Sequence, residues 1–212
     1  MQPSMIRIPE NVVKQLPAMT KRIMHAFRRR IKGCRRIGYL NLPGSHRLPV
    51  VVSEFMWDRG PRKNILAAYC ADNDILYAFR SMLKVFRYIP AGAMSKEHWI
   101  LHCLAHEVAH ALDRARIMRM PQKLSKSHSH KASIRYVQQA TEFDAEIAAI
   151  KSVDVPFLKR NKNWVIVLAS YLSSCYPHIR CWNRTRLARQ LIRELESEII
   201  KNGFPSRKAK SR

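Results

Sequence analysis

Residues 104–113 read LAHEVAHALD, and within them His106, Glu107 and His110 have residue types and spacing suited to a metal site. On a helix, positions i and i+4 lie one turn apart on the same face, so the two imidazoles can aim at one ion. Glu107, offset by about 100° of helical rotation, would sit beside that ion. There it can deprotonate a metal-bound water, whose pKa zinc lowers toward about 7. Nine His and nine Glu in 212 residues predict only about 0.016 chance occurrences of this pattern. The plain alternative is a pair of surface or capping histidines. Leu101, Leu104, Ala105, Val108 and Leu112 argue against it, because they bury part of the helix and buried histidines are costly without partners.

A catalytic zinc takes three protein ligands and keeps one position open. The third ligand is either Glu142, in TEFDAEIAAI, or one of His128 and His130, in KSHSHKAS. Glu146 lies one helical turn beyond Glu142 and could accept the second ring N–H of a ligating histidine. The competing reading of Glu142 and Glu146 is an ordinary exposed acidic face. His98 and His102 continue the one-turn spacing upstream and read as framework or surface groups. Cys175, His178 and Cys181 could contribute to a second metal site, but with no other paired ligands nearby they read more simply as small buried groups.

Positioning these residues requires a scaffold. Ser95 is a suitable N-cap for a helix from Lys96 to about Met118, with Pro121 just past its end. A second helix is expected over 131–151, with Ile134, Val137, Phe143, Ile147 and Ile150 toward the core. Upstream, LPVVVSEFMW (48–57) is strand-like, and NILAAYC-ADND-ILYAF reads as a hairpin over 64–79. MLKVFRYI (82–89) adds a strand or a turn of helix. Residues 10–31 carry Val13, Leu16, Ile23, Phe27 and Ile31 near helical spacing, interrupted at Pro17. Helices are also expected over 161–174 and 184–202. The class is therefore α+β: a small antiparallel sheet, a site-bearing helix and further helices. The expected division is a basic N-terminal extension over 1–47, a domain over 48–202 and a disordered basic tail over 203–212.

Charge is the other strong signal. There are 39 Lys and Arg against 15 Asp and Glu, a net +24, and residues 11–53 hold ten basic side chains and no acid. Nucleic acid is the natural partner for such a chain, with acidic lipid headgroups or no dedicated ligand as alternatives. Five cysteines without regular spacing suit reduced thiols in a cytoplasm. No segment reads as a membrane span or signal peptide.

The HExxH pattern with Glu142 and Glu146 downstream resembles the zincins, specifically the gluzincin branch. EFDAEIAAI looks like the third-ligand helix of CAAX prenyl proteases, of ArdC-type antirestriction proteins and of ImmA/IrrE peptidases. The likeness spans roughly residues 64–151 and is one of motifs. SHSHKASIRYV resembles the corresponding SprT-like segment, which would make His130 the ligand, although Lys131 stands where that pattern has glycine. The resemblance implies a zinc metallopeptidase acting on a protein or peptide, with Glu107 as general base and zinc on His106, His110 and Glu142. Small size and basic termini would suit a phage or mobile-element protein. An inactive zincin-type nucleic-acid binder and a structural basic protein are the competing readings. Tyr136, Tyr171, Tyr176, His178 and Arg180 carry donors suited to an oxyanion, and oligomeric state is not fixed by these features.

Overall fold

The computed structural model describes residues 6–29, 32–54, 66–85, 95–115, 118, 141 and 144–158. The chain divides into two units, Met1–Val167 and Leu168–Arg212, and every described residue belongs to the first. The helices expected over 161–174 and 184–202 and the tail from 203 lie outside the described residues.

Short apolar runs, most fully buried in β2 and β4, build a four-stranded sheet from β1 (Cys34–Asn41), β2 (Arg47–Ser53), β3 (Ala67–Cys70) and β4 (Ile75–Phe79), in the order β1-β2-β4-β3. The hairpin over 64–79 is present as antiparallel β3 and β4. The sheet is mixed, however, and not the antiparallel one expected, because β2 and β4 run parallel. Burial accounts for the order. Leu76, Ala78 and Phe79 of β4 are almost fully enclosed, so β4 takes the inner position, while the half-buried β3 forms the edge. Sequence reading assigned no strand to residues 34–41. Their adjacent arginines obscure the alternation, yet charge of this kind is tolerated where a strand lies at a sheet edge, as β1 does.

Two helices precede the sheet: α1 (Glu10–Val13) and α2 (Leu16–Arg28), with the interruption at Lys14 and Gln15 and with Pro17 as the second residue of α2. Pro17 has no N–H to donate, which costs nothing in a first turn. Leu16, Met19, Ile23 and Phe27 are the buried face of α2. This helix packs on β1, β2 and the site-bearing helix, so residues 10–41 share the core with the elements that follow residue 48. At Gly38 a β-carbon would stand 2.7 Å from the Arg22 guanidinium and 3.1 Å from Met19, which explains a glycine at this close helix–strand approach. The short α3 (Ser81–Val85) resolves the strand-or-helix alternative for the segment after β4.

The helix α4 (Lys96–Leu112) begins as expected, with the Ser95 hydroxyl accepting the backbone N–H of His98 at 3.0 Å. Trp99 fixes its first turn against α3, donating its indole N–H to the carbonyl of Met82 at 3.1 Å. The last described stretch, α5 (144–158), is α-helical over 144–149, widens to a π-helix over Ile150–Asp154 and closes as α-helix over Val155–Leu158. It therefore runs beyond the expected end at Lys151. Ser95→Ala removes the cap of α4 and should lower stability by about 1 kcal/mol, read as a lower midpoint in urea with an unchanged slope.

Candidate metal centre

Helix α4 carries histidines at 98, 102, 106 and 110, each about one turn from the last along a single stripe. Helix α5 lays two carboxylates against that stripe. Asp154 bridges the first two histidines, with Oδ1 2.6 Å from His98 Nε2 and Oδ2 2.6 Å from His102 Nδ1. Glu146 bridges the second and third, with Oε1 3.1 Å from His102 Nε2 and Oε2 2.8 Å from His106 Nδ1. Eight residues of regular α-helix would leave Asp154 about 80° round from Glu146. The π-helix lies between them and turns less per residue, which brings both acids onto one face.

All four of His98, His102, Glu146 and Asp154 are buried. Desolvation pushes the His102 pKa down, but the charges of Asp154 and Glu146 and their hydrogen bonds outweigh it and raise it to about 10. Burial likewise pushes both carboxyls up, and the opposing His102 charge and the histidine hydrogen bonds hold them below their ordinary values. The group therefore persists as a buried anion–cation–anion series, which is tolerable only while each charge keeps its partner.

At the far end of the series, His106 Nε2 and His110 Nε2 stand 3.1 Å apart. With His106 Nδ1 donating to the Glu146 carboxylate, the proton is fixed on Nδ1 and the Nε2 lone pair is directed outward. Two nitrogens on one tetrahedral zinc, each about 2.0–2.1 Å from it, stand about 3.3 Å apart. The separation and the carboxylate-oriented ring fit a zinc site. Glu107 lies beside the pair, half-buried, and its Oε2 accepts the backbone N–H of Tyr69 on the edge strand at 2.7 Å.

That strand is itself anchored. The Tyr69 hydroxyl donates to Asp74 Oδ1 at 2.6 Å, and burial together with this carboxylate raises the phenol's pKa. Asp74 also holds His46 at the start of β2 and Arg114 just past α4, the latter at 3.2 Å. Turn, sheet and helix end are thus tied through one carboxylate.

His106, His110, Glu107 and Glu146 are brought together. Glu142, His128, His130, Tyr136, Tyr171, Tyr176, Cys175, His178, Arg180 and Cys181 lie outside the described residues. Among the described residues no group of three His, Cys, Asp or Glu surrounds a common point. Cys34, Cys70 and Cys103 are free thiols. Sequence reading missed Asp154, Tyr69 and Asp74. For Asp154 a signal existed: the regular four-residue histidine spacing demands more than one buried acid. No protein-family model, curated protein or solved structure matches the chain.

Asp154→Ala leaves buried His98 without its acid and His102 with Glu146 alone, and should cost about 3–5 kcal/mol. The isosteric Asp154→Asn tests the charge. His102 has a raised pKa in the fold, so its contribution is complete below its ordinary 6.5 and is lost as pH rises through about 10. The depressed carboxyls contribute above their ordinary values, 3.8 for Asp154 and 4.5 for Glu146, and lose this as pH falls. The difference in melting temperature between wild type and Asp154→Asn, measured without metal, should be greatest near pH 5–6.5 and shrink toward pH 10.

Proposed function

We propose that this chain is a zinc-dependent metallopeptidase that hydrolyses peptide bonds. The observation that carries the reading is the convergence of His106 Nε2 and His110 Nε2 at 3.1 Å, with Glu146 behind one ring and Glu107 beside both. Zinc would be held by His106 and His110, with Glu142 as third ligand and His130 as the alternative. When bound, the metal acts as a Lewis acid that lowers the pKa of a water toward about 7 and polarises the scissile carbonyl.

The chain's own groups divide the remaining work. Glu146 keeps His106 in one tautomer and one orientation. Tyr69 N–H holds one oxygen of Glu107, and Oε1, without a partner among the described residues, takes the proton from the attacking water and returns it to the leaving amine. Phe79 N–H bonds the carbonyl of Leu66, so in antiparallel register Ala68 and Cys70 also face β4, while Ala67 and Tyr69 turn their backbone groups away from β4, to the edge that Glu107 approaches. An extended peptide added at that edge would pass beside Glu107.

An inactive, structural site is the second reading, favoured by the same Tyr69–Glu107 bond, since a purely architectural glutamate would make it too. Glu107→Gln discriminates, because an amide oxygen still accepts that N–H but cannot take a proton. The expected result is unchanged zinc content and melting temperature, with cleavage of a peptide library reduced about 10²–10⁴-fold. Cleavage unaffected by the change would reject the peptidase reading. Zinc stoichiometry should be near one per chain and should fall in His110→Ala and Glu142→Ala while surviving in His130→Ala.

A further inference from the structure

The metal reading leaves the charge unexplained, and the charge has a definite location. Between α2 and the edge strand β1 runs an open depression of about 480 Å³, walled by Lys21, Arg22, His25 and Arg29 from the helix and Arg35 and Arg36 from the strand. All six side chains are exposed. None has a carboxylate partner among the described residues, in contrast to Lys14 on Glu10, Arg80 on Glu54 and Arg114 on Asp74. Residues 11–53 contain no acid that could supply one.

A solvated helix face would spread its charges around one element. Here two elements converge, and the backbone is shaped for it. The register of β1 against β2 shifts between Arg36 and Gly38, and Arg22 lies over Gly38 where no side chain intervenes. The bulge re-aims the strand's arginines while the glycine admits the helix's. Positive charge then continues beyond the groove, because Arg36 and Arg47 both lie over the Tyr39 ring, at 5.1 and 4.4 Å. Stacking fixes the two planar guanidinium groups, which suits them to bidentate contact with phosphate oxygens.

The geometry points to this α2–β1 groove as a docking site for the phosphate backbone of nucleic acid, bound without regard to sequence. Like charges held this closely repel, and a row of phosphates relieves that repulsion while releasing counterions. The α2 helix, at 13 residues, is about 20 Å long, enough to follow several phosphates. Tyr39 is covered by guanidinium, so it serves to hold the arginines and not to stack on bases. A bilayer surface fits less well: the exposed large apolar side chains among the described residues amount to Met118, and durable membrane association takes a second, apolar signal besides charge. The groove is lined by exposed residues of α2 and β1, and none of them belongs to the histidine stripe of α4. The inference does not require the metal site.

The test is fluorescence anisotropy of a labelled 20-base-pair DNA duplex with the full chain over 50–300 mM salt. Three proteins are compared: wild type, Lys21→Gln/Arg22→Gln/Arg36→Gln, and the equally charge-reduced Lys208→Gln/Lys210→Gln/Arg212→Gln. The groove triple should bind at least tenfold more weakly, with the slope of log K against log salt reduced by about 2.7, and the tail triple should lose less. A second variant, Arg29→Gln/Arg35→Gln, takes one cation from each wall and should weaken binding at least fivefold, deciding the matter if the triple variant melts early. The inference is overturned if both groove variants bind as wild type does, or if the tail triple loses more than either. It is equally overturned if the duplex does not bind at 100 mM salt while vesicles containing phosphatidylserine do.

Discussion

The structure depends on two carboxylates buried against three histidines, with His102 shared between them. Asp154 and Glu146 have no water to solvate them, so each must take its partners from helix α4, and each takes two. That requirement fixes how α4 and α5 can lie. A rotation of either helix would strand a charge in the interior, at a cost of several kcal/mol. The same constraint reaches the chemistry, since Glu146 cannot satisfy its buried oxygens without orienting His106 and turning its outer nitrogen toward His110. Burial and ligand positioning are here one interaction, with the π-helix before Asp154 setting the phase that makes it possible.

The sheet acts on the site from the other side. Only one backbone group of β3, the N–H of Tyr69, reaches Glu107, but the strand holding it is braced at three points through Asp74. Asp74 adopts a positive φ of 53° in the β3–β4 turn, a conformation aspartate accepts more readily than bulkier residues. The Arg114 contact then couples the turn to the end of α4. Glu107 is therefore positioned by its own helix and by a strand whose placement the same helix secures.

Much of this was legible from residues alone, and the exceptions have physical causes. The helix with HEVAH, its Ser95 cap, the 64–79 hairpin and a helix break close to Pro17 rest on local signals: periodicity, capping and turn chemistry. The parallel pairing of β2 with β4 has no local signal, because it records which hairpin strand is the more completely buried. β1 was missed since Arg35 and Arg36 interrupt its alternation, and their use lies in a groove made with a helix far away in sequence. Asp154 stood too far from the motif to be grouped with it. The framework reading of His98 and His102 gave no hint that both would be fully paired. No membrane-crossing helix was expected, and among the described residues no helix is long and apolar enough to cross a membrane.

The peptidase reading and the nucleic-acid groove use different elements and stand on separate observations, one on ring nitrogens and the other on cations without a carboxylate partner among the described residues. The central claim is that the buried carboxylates prepare His106 and His110 to hold a metal together. X-ray absorption at the zinc edge on the purified, zinc-supplied protein tests it most directly. The account predicts one zinc with nitrogen and oxygen neighbours at about 2.0–2.2 Å, outer-shell scattering from two imidazoles, and loss of that scattering in His106→Ala. A chain that takes up no zinc, or zinc whose spectrum is unchanged by His106→Ala, would contradict it.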